Sequence, residues 1–111
     1  MTAYALAHLR TPTTSEDVLS YIDRIQDTLD PYGGRFVVHG GDVEVMEGSW
    51  PGTIAIIRFP DKAAAHAWYA SPAYQEILPL RTANTHSIAT VVDGVTTGYR
   101  ATDGLAAMPS G

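Results

Sequence analysis

Apolar and polar residues alternate along this chain with two different periods. In four segments apolar residues recur at every second position or follow one another without interruption, which is typical of strands. Between these segments, apolar residues recur at the three- and four-residue spacing of a helix. The predicted strands are residues 4–9, 35–39, 53–59 and 86–92. The order strand, helix, strand, strand, helix, strand predicts an α+β, ferredoxin-like βαββαβ fold, with a four-stranded antiparallel sheet and both helices on one face.

The first helix has a clear start and end in the sequence. Hydroxyl side chains followed by two acids at residues 14–17 predict an N-terminus, because hydroxyls cap helices and acids suit the positive end of the dipole. The predicted buried stripe consists of Val18, Ile22, Ile25 and Leu29. Proline and glycine within residues 30–34 predict the end of this helix.

The middle of the chain predicts a pair of strands around an interruption. The glycine pair at residues 40–41 predicts a bulge or tight turn, after which the second strand resumes over residues 43–47. The segment 53–59 is apolar enough to predict a central strand buried on both faces.

The second half begins with a capped helix. Asp61 predicts its N-cap, and Ser71-Pro72 predicts a further short helix that Pro79 closes. Residues 95–111 are rich in Gly, Ala, Thr and Ser. We therefore expect one domain over residues 1–94 and a flexible C-terminal tail over residues 95–111.

Composition narrows the class of protein. A chain of 111 residues has room for a single core, and the absence of Cys excludes disulfides and thiolate chemistry. A reducing cytoplasm is the default compartment for such a chain. Neither a membrane-length apolar stretch nor a signal pattern occurs, so we expect a soluble protein without a membrane partner. A net charge of -5 with one lysine argues against a nucleic-acid partner.

One face of the predicted sheet lacks helices to cover it. Its apolar residues are expected to be Leu6, Val37, Ile54, Ile56 and Ile88. An exposed apolar sheet face of this kind predicts a partner, and a second copy is the expected one because most soluble oligomers are closed homodimers.

Several short motifs in one order resemble a known family. They are Gly33-Gly34-Arg35-Phe36, Glu47-Gly48-Ser49-Trp50-Pro51, Phe59-Pro60, residues 67–74 and Leu80-Arg81. Over about residues 4–94 the chain resembles the family catalogued as domain of unknown function 1330. The resemblance implies a dimeric α/β barrel, in which two ferredoxin-like sheets face each other, and attaches no general biochemical function. Ala73 stands where the family usually has Glu, so no role for an acid is carried over there.

Several polar side chains lie at alternate strand positions to the residues expected to face the helices. They would therefore point into the space between two facing sheets, where they predict a site. They are Tyr4, His8, Arg35, His39, Arg58 and His86, with Glu47, Trp50, Tyr74 and Arg81 on nearby turns or helix. Such a lining favours an anionic or carbonyl ligand.

Each candidate has a chemical and a structural interpretation. Arg35 is predicted to clamp a carboxylate, or else to form a salt bridge with Glu47. His39 and Glu47 are predicted to move protons, because histidine titrates near neutrality and burial raises a glutamate pKa. His39 or His8 is otherwise a hydrogen-bonded residue of a dimer interface.

The other candidates bind rather than react. Trp50 and Tyr74 are predicted to shape the pocket and Arg81 and His8 to contact the ligand, while Trp68 and Tyr69 are expected in the core and His66 in solvent. Histidine spacing suited to a metal is absent, as are the glycine-rich motifs that bind phosphate, so neither a metal nor a cofactor is predicted.

The leading functional hypothesis is a cofactor-free acid/base enzyme of isomerase, cyclase or monooxygenase type that acts on an organic acid or carbonyl compound. It rests on fold analogy. The competing hypotheses are a non-catalytic ligand-binding or regulatory dimer and a purely structural dimer.

Overall fold

The computed structural model describes residues 1–10 and 15–107, and these form a four-stranded sheet with a helical layer on one face. The elements are β1 Ala3–Leu9, α1 Glu16–Leu29, a 3-10 turn Asp30–Tyr32, β2 Arg35–His39, β3 Thr53–Phe59, α2 Lys62–Ala70, α3 Pro72–Thr82, β4 Ser87–Asp93 and a 3-10 helix Ala101–Ala107. The strand order is β2-β3-β1-β4, with every neighbouring pair antiparallel. The predicted α+β, ferredoxin-like fold is confirmed.

Helix α1 begins where the sequence indicates, but its buried face differs from the prediction. Ser15 caps it by accepting a hydrogen bond from the Val18 backbone N–H at 3.3 Å, and Thr14 lies outside the described residues. Ile22, predicted to be buried, is exposed, and the neighbouring Tyr21 is buried in its place. The other buried residues of α1 are Ile25, Thr28 and Leu29. The buried face of α1 is rotated by about one residue relative to the predicted face, because the hydroxyls of Tyr21 and Thr28 have hydrogen-bond partners inside the fold.

Gly34, between α1 and β2, lets the backbone pass close to core side chains. A Cβ atom at this position would lie 2.7 Å from the Leu29 side chain and 2.8 Å from the Phe59 ring. The C-terminal end of α1 can therefore pack tightly against β3, as it does through Leu29 and Phe59.

Strand β2 contains a bulge earlier than predicted. Phe36 pairs with Ile57 and Val38 pairs with Ile56, so Val37 is the extra residue. The bulge reverses the side-chain parity of the later residues in the strand and turns His39 to the helix-covered face, opposite Ala55. The bulge predicted as one alternative for residues 40–41 is therefore not there, where the chain bends at Gly40, and the prediction of an inter-sheet position for His39 is wrong.

The predicted strand over residues 43–47 does not form within one chain. Residues 41–51, which we call the arm, contain neither helix nor strand, and every residue in the arm is exposed. The prediction failed because alternating side chains make a strand only when a neighbouring strand completes the backbone hydrogen bonds.

Strand β3 is central, as predicted, but only one of its faces is buried. Ala55, Ile57 and Phe59 point into the core, whereas Arg58 on the alternate face is exposed. We call this second side of the sheet the open face. Its residues, in three rows across the strands, are Arg35, Arg58, Tyr4 and Val92; Val38, Ile56, Leu6 and Thr90; and Ile54, His8 and Ile88.

Helices α2 and α3 begin at the predicted caps. The Asp61 side chain accepts from the Ala64 N–H at 2.7 Å, and the Ser71 hydroxyl accepts from the Tyr74 N–H at 3.3 Å. Pro79 does not close α3, which continues to Thr82. Proline at an exposed position removes one helical hydrogen bond without stopping the chain from continuing the helix.

The extra turn of α3 is held by side chains just beyond it in the sequence. The amide of Asn84 donates to the Leu80 carbonyl at 2.9 Å, and the Thr85 hydroxyl donates to the Arg81 carbonyl at 2.8 Å. These bonds satisfy carbonyl groups that a helix end leaves without partners. Because the helix continues past Pro79, Arg81 is carried inward and is buried.

The C-terminal part of the described chain is more regular than a simple linker. β4 begins at Ser87, one residue later than predicted, and Ala101–Ala107 forms a 3-10 helix within the predicted tail. The flexibility of residues 95–111 stays a prediction, and residues 108–111 lie outside the described part. No helix among the described residues is long and apolar enough to cross a membrane.

Gly52 is the glycine whose replacement should cost most. Its φ is +90°, and a Cβ atom there would overlap the Leu9 carbonyl oxygen. We expect Gly52→Ala to lower the free energy of unfolding by about 3 kcal/mol or more, since strain and overlap add. Gly98→Ala is the control, because Gly98 has φ +81° but no atom within 4 Å, and should cost about 1 kcal/mol. Urea unfolding measures both, and equal losses would contradict the prediction.

Candidate functional site

A cavity of about 580 Å³ lies between the sheet and the helical layer. Its floor is a row of alanines in register across three strands, namely Ala89, Ala7 and Ala55. Methyl side chains leave space that larger residues would fill. Helix α1 contributes Val18, Tyr21, Ile22 and Ile25 to the opposite wall, and α2 and α3 contribute the rest of the helical side.

The cavity reaches the protein surface between α1 and α2. Ile22 and Tyr69 both line it, and their exposed fractions are 44% and 42%. Most of the remaining wall is apolar or aromatic, including Phe36 and Trp68. A ligand entering here would exchange water for an apolar surface, which is the main driving force in sites of this kind.

Two tyrosines and an arginine form the buried polar part of the wall. The hydroxyl of Tyr21 on α1 lies 2.9 Å from the hydroxyl of Tyr74 on α3. The Arg81 guanidinium lies 5.7 Å from the centre of the Tyr21 ring and donates a short hydrogen bond to the Ser87 hydroxyl. Each phenol has one donor hydrogen, so the mutual bond leaves one O–H available to a ligand.

Burial sets the protonation of this group. The pKa of Tyr21 is raised well above its usual range, chiefly because burial disfavours the phenolate and also because of the neighbouring Tyr74. Burial lowers the pKa of Arg81, but its interactions with Tyr21 and Tyr74 outweigh this and the net pKa is raised. At neutral pH the wall therefore presents a neutral Tyr21 phenol beside a positive charge.

Arg81 has no carboxylate partner among the described residues. The ion pairs in this part of the chain are Arg24 with Glu76 and Lys62 with Asp93, both on the surface. Arg81 is only 8% exposed, and buried charges are normally paired because desolvation is costly. The cavity wall thus carries an excess positive charge that an anionic or strongly polarised oxygen would complement.

Two histidines lie on the cavity wall nearer to solvent. His39 at the end of β2 stacks on Phe36, with ring centres 4.4 Å apart, and His66 belongs to α2. Both are exposed. His66, expected in solvent, is exposed and also borders the cavity.

The remaining predicted site residues lie away from the cavity. His8 is on the open face, where its ring stacks on Trp50 at 4.1 Å and its Nε2 lies 2.6 Å from the Pro51 carbonyl oxygen. Glu47 and Trp50 are in the arm, where they border a shallow concavity of about 400 Å³. Arg35 is exposed in the row of the open face that contains Arg58.

The structure therefore divides the predicted site into two groups. Tyr74, Arg81 and His39 border the cavity, whereas His8, Arg35, Glu47 and Trp50 lie on the open face or in the arm. Within the described residues no ion pair joins Arg35 to Glu47, and no cluster of three or more His, Asp or Glu could hold a metal. The possible roles of these side chains stay predictions.

Tyr21 is a cavity residue that the sequence pattern does not single out. Val18, Ile22 and Ile25 already complete an apolar helical stripe without it. A signal is nevertheless available, since Tyr21 precedes Ile25 by four residues and so lies on the same helix face. Trp68, expected in the core, is buried there and also borders the cavity, as does the exposed Tyr69.

Comparison with solved structures identifies the same architecture in other proteins. A protein of unknown function from Rhodopseudomonas palustris, RPA0582, is 18% identical, with TM-score 0.67 over 86% of this chain and 83% of that chain. A dimeric ferredoxin-like protein of unknown function from Jannaschia sp. CCS1 is 20% identical, with TM-score 0.60 over 85% and 100%. SnoaB, a cofactor-independent oxygenase from Streptomyces nogalater, is 15% identical, with TM-score 0.58 over 89% and 97%.

Fold and cavity together define a ferredoxin-like α+β chain with an internal cavity between sheet and helices. Residues 2–95 match the family described as domain of unknown function (DUF1330), and the chain belongs to that family. The resemblance noted from the motifs is thereby confirmed. No curated protein sequence matches the chain.

The raised pKa of Tyr21 predicts an alkaline limit to stability. The pKa of a tyrosine in the unfolded chain is about 10, and that of Tyr21 in the folded protein is higher. The free energy of unfolding is therefore unaffected by Tyr21 below pH 10 and falls as the pH rises above it. Between about pH 9 and 11 the protein should lose about 1.4 kcal/mol more unfolding free energy than Tyr21→Phe does. Tyr99→Phe retains Tyr21 and should keep the steeper dependence. Parallel curves for the protein and Tyr21→Phe in urea titrations would refute the assignment.

Proposed function

We propose that this protein is a homodimer that binds an apolar small molecule carrying an anionic or carbonyl oxygen in the cavity of each chain. The observation that carries the proposal is a buried arginine that has no carboxylate partner among the described residues and lies in the wall of a mainly apolar cavity. Tyr21 and Tyr74 supply neutral hydroxyls beside that charge.

The shape and polarity of the cavity favour a ring compound. Its volume, about 580 Å³, is within the range of small-molecule sites, and its aromatic residues offer flat surfaces against which a ring can stack. The buried hydroxyl and guanidinium groups of the wall form one small group, so the ligand needs one oxygen-bearing edge and otherwise mainly apolar surface. A sugar or nucleotide would bury many hydroxyls or phosphates against methyl groups without partners.

The same arrangement suits acid/base chemistry without a cofactor. If Arg81 and a tyrosine hydroxyl hold a carbonyl oxygen, they stabilise the negative charge that develops there when a proton leaves the adjacent carbon. His39 borders the cavity and is the base in this proposal. SnoaB, which shares the fold, is a cofactor-independent oxygenase, and this supports the enzyme class by analogy of fold alone.

The proposed dimer forms through the open face. Ile88 and Val92 on this side of the sheet are 63% and 51% exposed. A patch of this kind is typical of protein interfaces. The similar chain from Jannaschia is described as dimeric, which supports the same assembly here. His8, Arg35, Glu47 and Trp50 then belong to the interface rather than to the ligand site.

Two fluorescent probes of similar shape test the oxygen site. Anilinonaphthalene sulfonate carries an anion and N-phenylnaphthylamine does not. In Arg81→Met we expect the Kd of the sulfonate to rise about 10- to 100-fold, because a charge-assisted hydrogen bond is lost, while the Kd of the neutral probe stays within about twofold. Fluorescence titration measures both.

Controls separate this result from a general loss of structure. Arg100→Met removes an exposed arginine outside the cavity and should leave both Kd values unchanged. Ala7→Leu fills the alanine floor and should weaken both probes together. Equal weakening of both probes in Arg81→Met, or none of the sulfonate, would remove Arg81 from the proposed site.

Hydrogen–deuterium exchange tests whether the site can move a proton. With β-tetralone, an apolar bicyclic ketone, in D₂O, the protein should accelerate exchange at the carbon next to the carbonyl. His39→Gln should slow this exchange at least tenfold while β-tetralone binds with unchanged Kd. NMR follows both quantities.

The same measurement decides between the two candidate functions. A non-catalytic binding module would bind β-tetralone without accelerating exchange, and His39→Gln would then change nothing. His66→Gln is the matched control, because His66 also borders the cavity but is assigned no role. If only His66→Gln slowed exchange, the base would be reassigned.

A further inference from the structure

Two arginines lie side by side on the open face. Arg35 on β2 and Arg58 on β3 are directly opposite in register, and both are exposed. Like charges at such a position destabilise a sheet, and neither arginine forms an ion pair within the described residues. The chain as a whole carries a net charge of -5, so this basic pair is a local exception.

The arm carries the complementary charge. Its acids are Asp42, Glu44 and Glu47, and none of them forms an ion pair in the described part of the chain. Between these acids are apolar side chains that also face solvent, with exposed fractions of 37% for Val43, 47% for Val45 and 89% for Met46. The alternation is that of a strand, although the arm forms none in a single chain.

Within one chain the two charged groups are at opposite ends of the sheet. The base of the arm is fixed beside His8 through Trp50 and Pro51, whereas Arg58 is opposite Tyr4. The row of Tyr4 and the row of His8 are four residue steps apart along β1, which is about 13 Å. Among the described residues, no ion pair joins the arm's acids to Arg35 or Arg58 of the same chain.

We propose that the arm of one copy lies across the arginine end of the partner's open face, with its acids pairing with Arg35 and Arg58 there. This inference rests on the proposed homodimer and adds a defined contact to it. The exposed valines of the arm would then cover apolar residues of the partner's open face, so charge and apolar surface are buried by one contact.

A two-fold axis makes this geometry reciprocal. If the axis runs between the two open faces and perpendicular to the strands, it reverses strand direction and places the arm end of each copy over the arginine end of the other. Seven extended residues, 41–47, span about 23 Å, which is long enough for the arm to lie across the partner's basic row.

A charge exchange between two variants tests the contact. Arg35→Glu with Arg58→Glu makes the open face acidic, and Glu44→Arg with Glu47→Arg makes the arm basic. Each variant alone should dimerise at least tenfold more weakly than the unmodified protein, because like charges meet at both symmetric contacts. Mixed in equal amounts, the two variants should form a heterodimer within about threefold of the original affinity.

Only a contact between copies predicts recovery in the mixture, because pairing within a chain is not repaired by adding another chain. Arg24→Glu with Arg100→Glu is the control for the acidic open-face variant. It changes the net charge by the same amount, but on α1 and in the tail, and it should dimerise normally. Analytical ultracentrifugation measures each Kd, and circular dichroism checks folding. Single variants with unchanged affinity, or a mixture that stays dissociated, would overturn the arm contact while leaving the dimer. An unmodified protein that is monomeric at about 100 μM would overturn both.

Discussion

The position of the helical layer relative to the sheet depends on the hydrogen bond between the Tyr21 and Tyr74 hydroxyls. This bond joins α1 to α3, and a second buried bond, from the Trp68 indole to the Thr28 hydroxyl at 3.0 Å, joins α2 to α1. The N-terminal half of α1 is therefore held by another helix rather than by direct packing on the strands. Because the sheet opposite presents alanines, the helix has no large side chain on which to close, and a cavity remains.

A buried hydroxyl pair is costly unless each group keeps a partner, and this condition links fold to site. Tyr21 and Tyr74 satisfy one another at the place where Arg81 enters the same wall. The guanidinium gains from the Tyr21 ring face and from Ser87, but neither is an anion. The residues that join the helices are thus the residues that place neutral hydroxyls beside a buried positive charge in the cavity wall.

Local signals predicted most of the fold and little of the site. Ser15 and Asp61 cap helices as their side chains require, and β3 is recognisable from its continuous apolar run. The site depends on two features without a local signal: a one-residue bulge at Val37, which moves His39 to the cavity face, and a helix that continues through Pro79. Bulges and tolerated prolines are decided by the strands and helices packed against them, so a single sequence does not reveal them.

The bulge at Val37 also explains why the two faces of the sheet have different chemistry. Before it, Arg35 lies on the open face, and after it, His39 lies on the helix face, although an unbroken strand would place both residues on the same side. One inserted residue thus separates a cation on the open face from an imidazole beside the cavity. Three arginines are divided between the same two surfaces, because Arg81 is buried in the cavity wall whereas Arg35 and Arg58 are exposed on the open face.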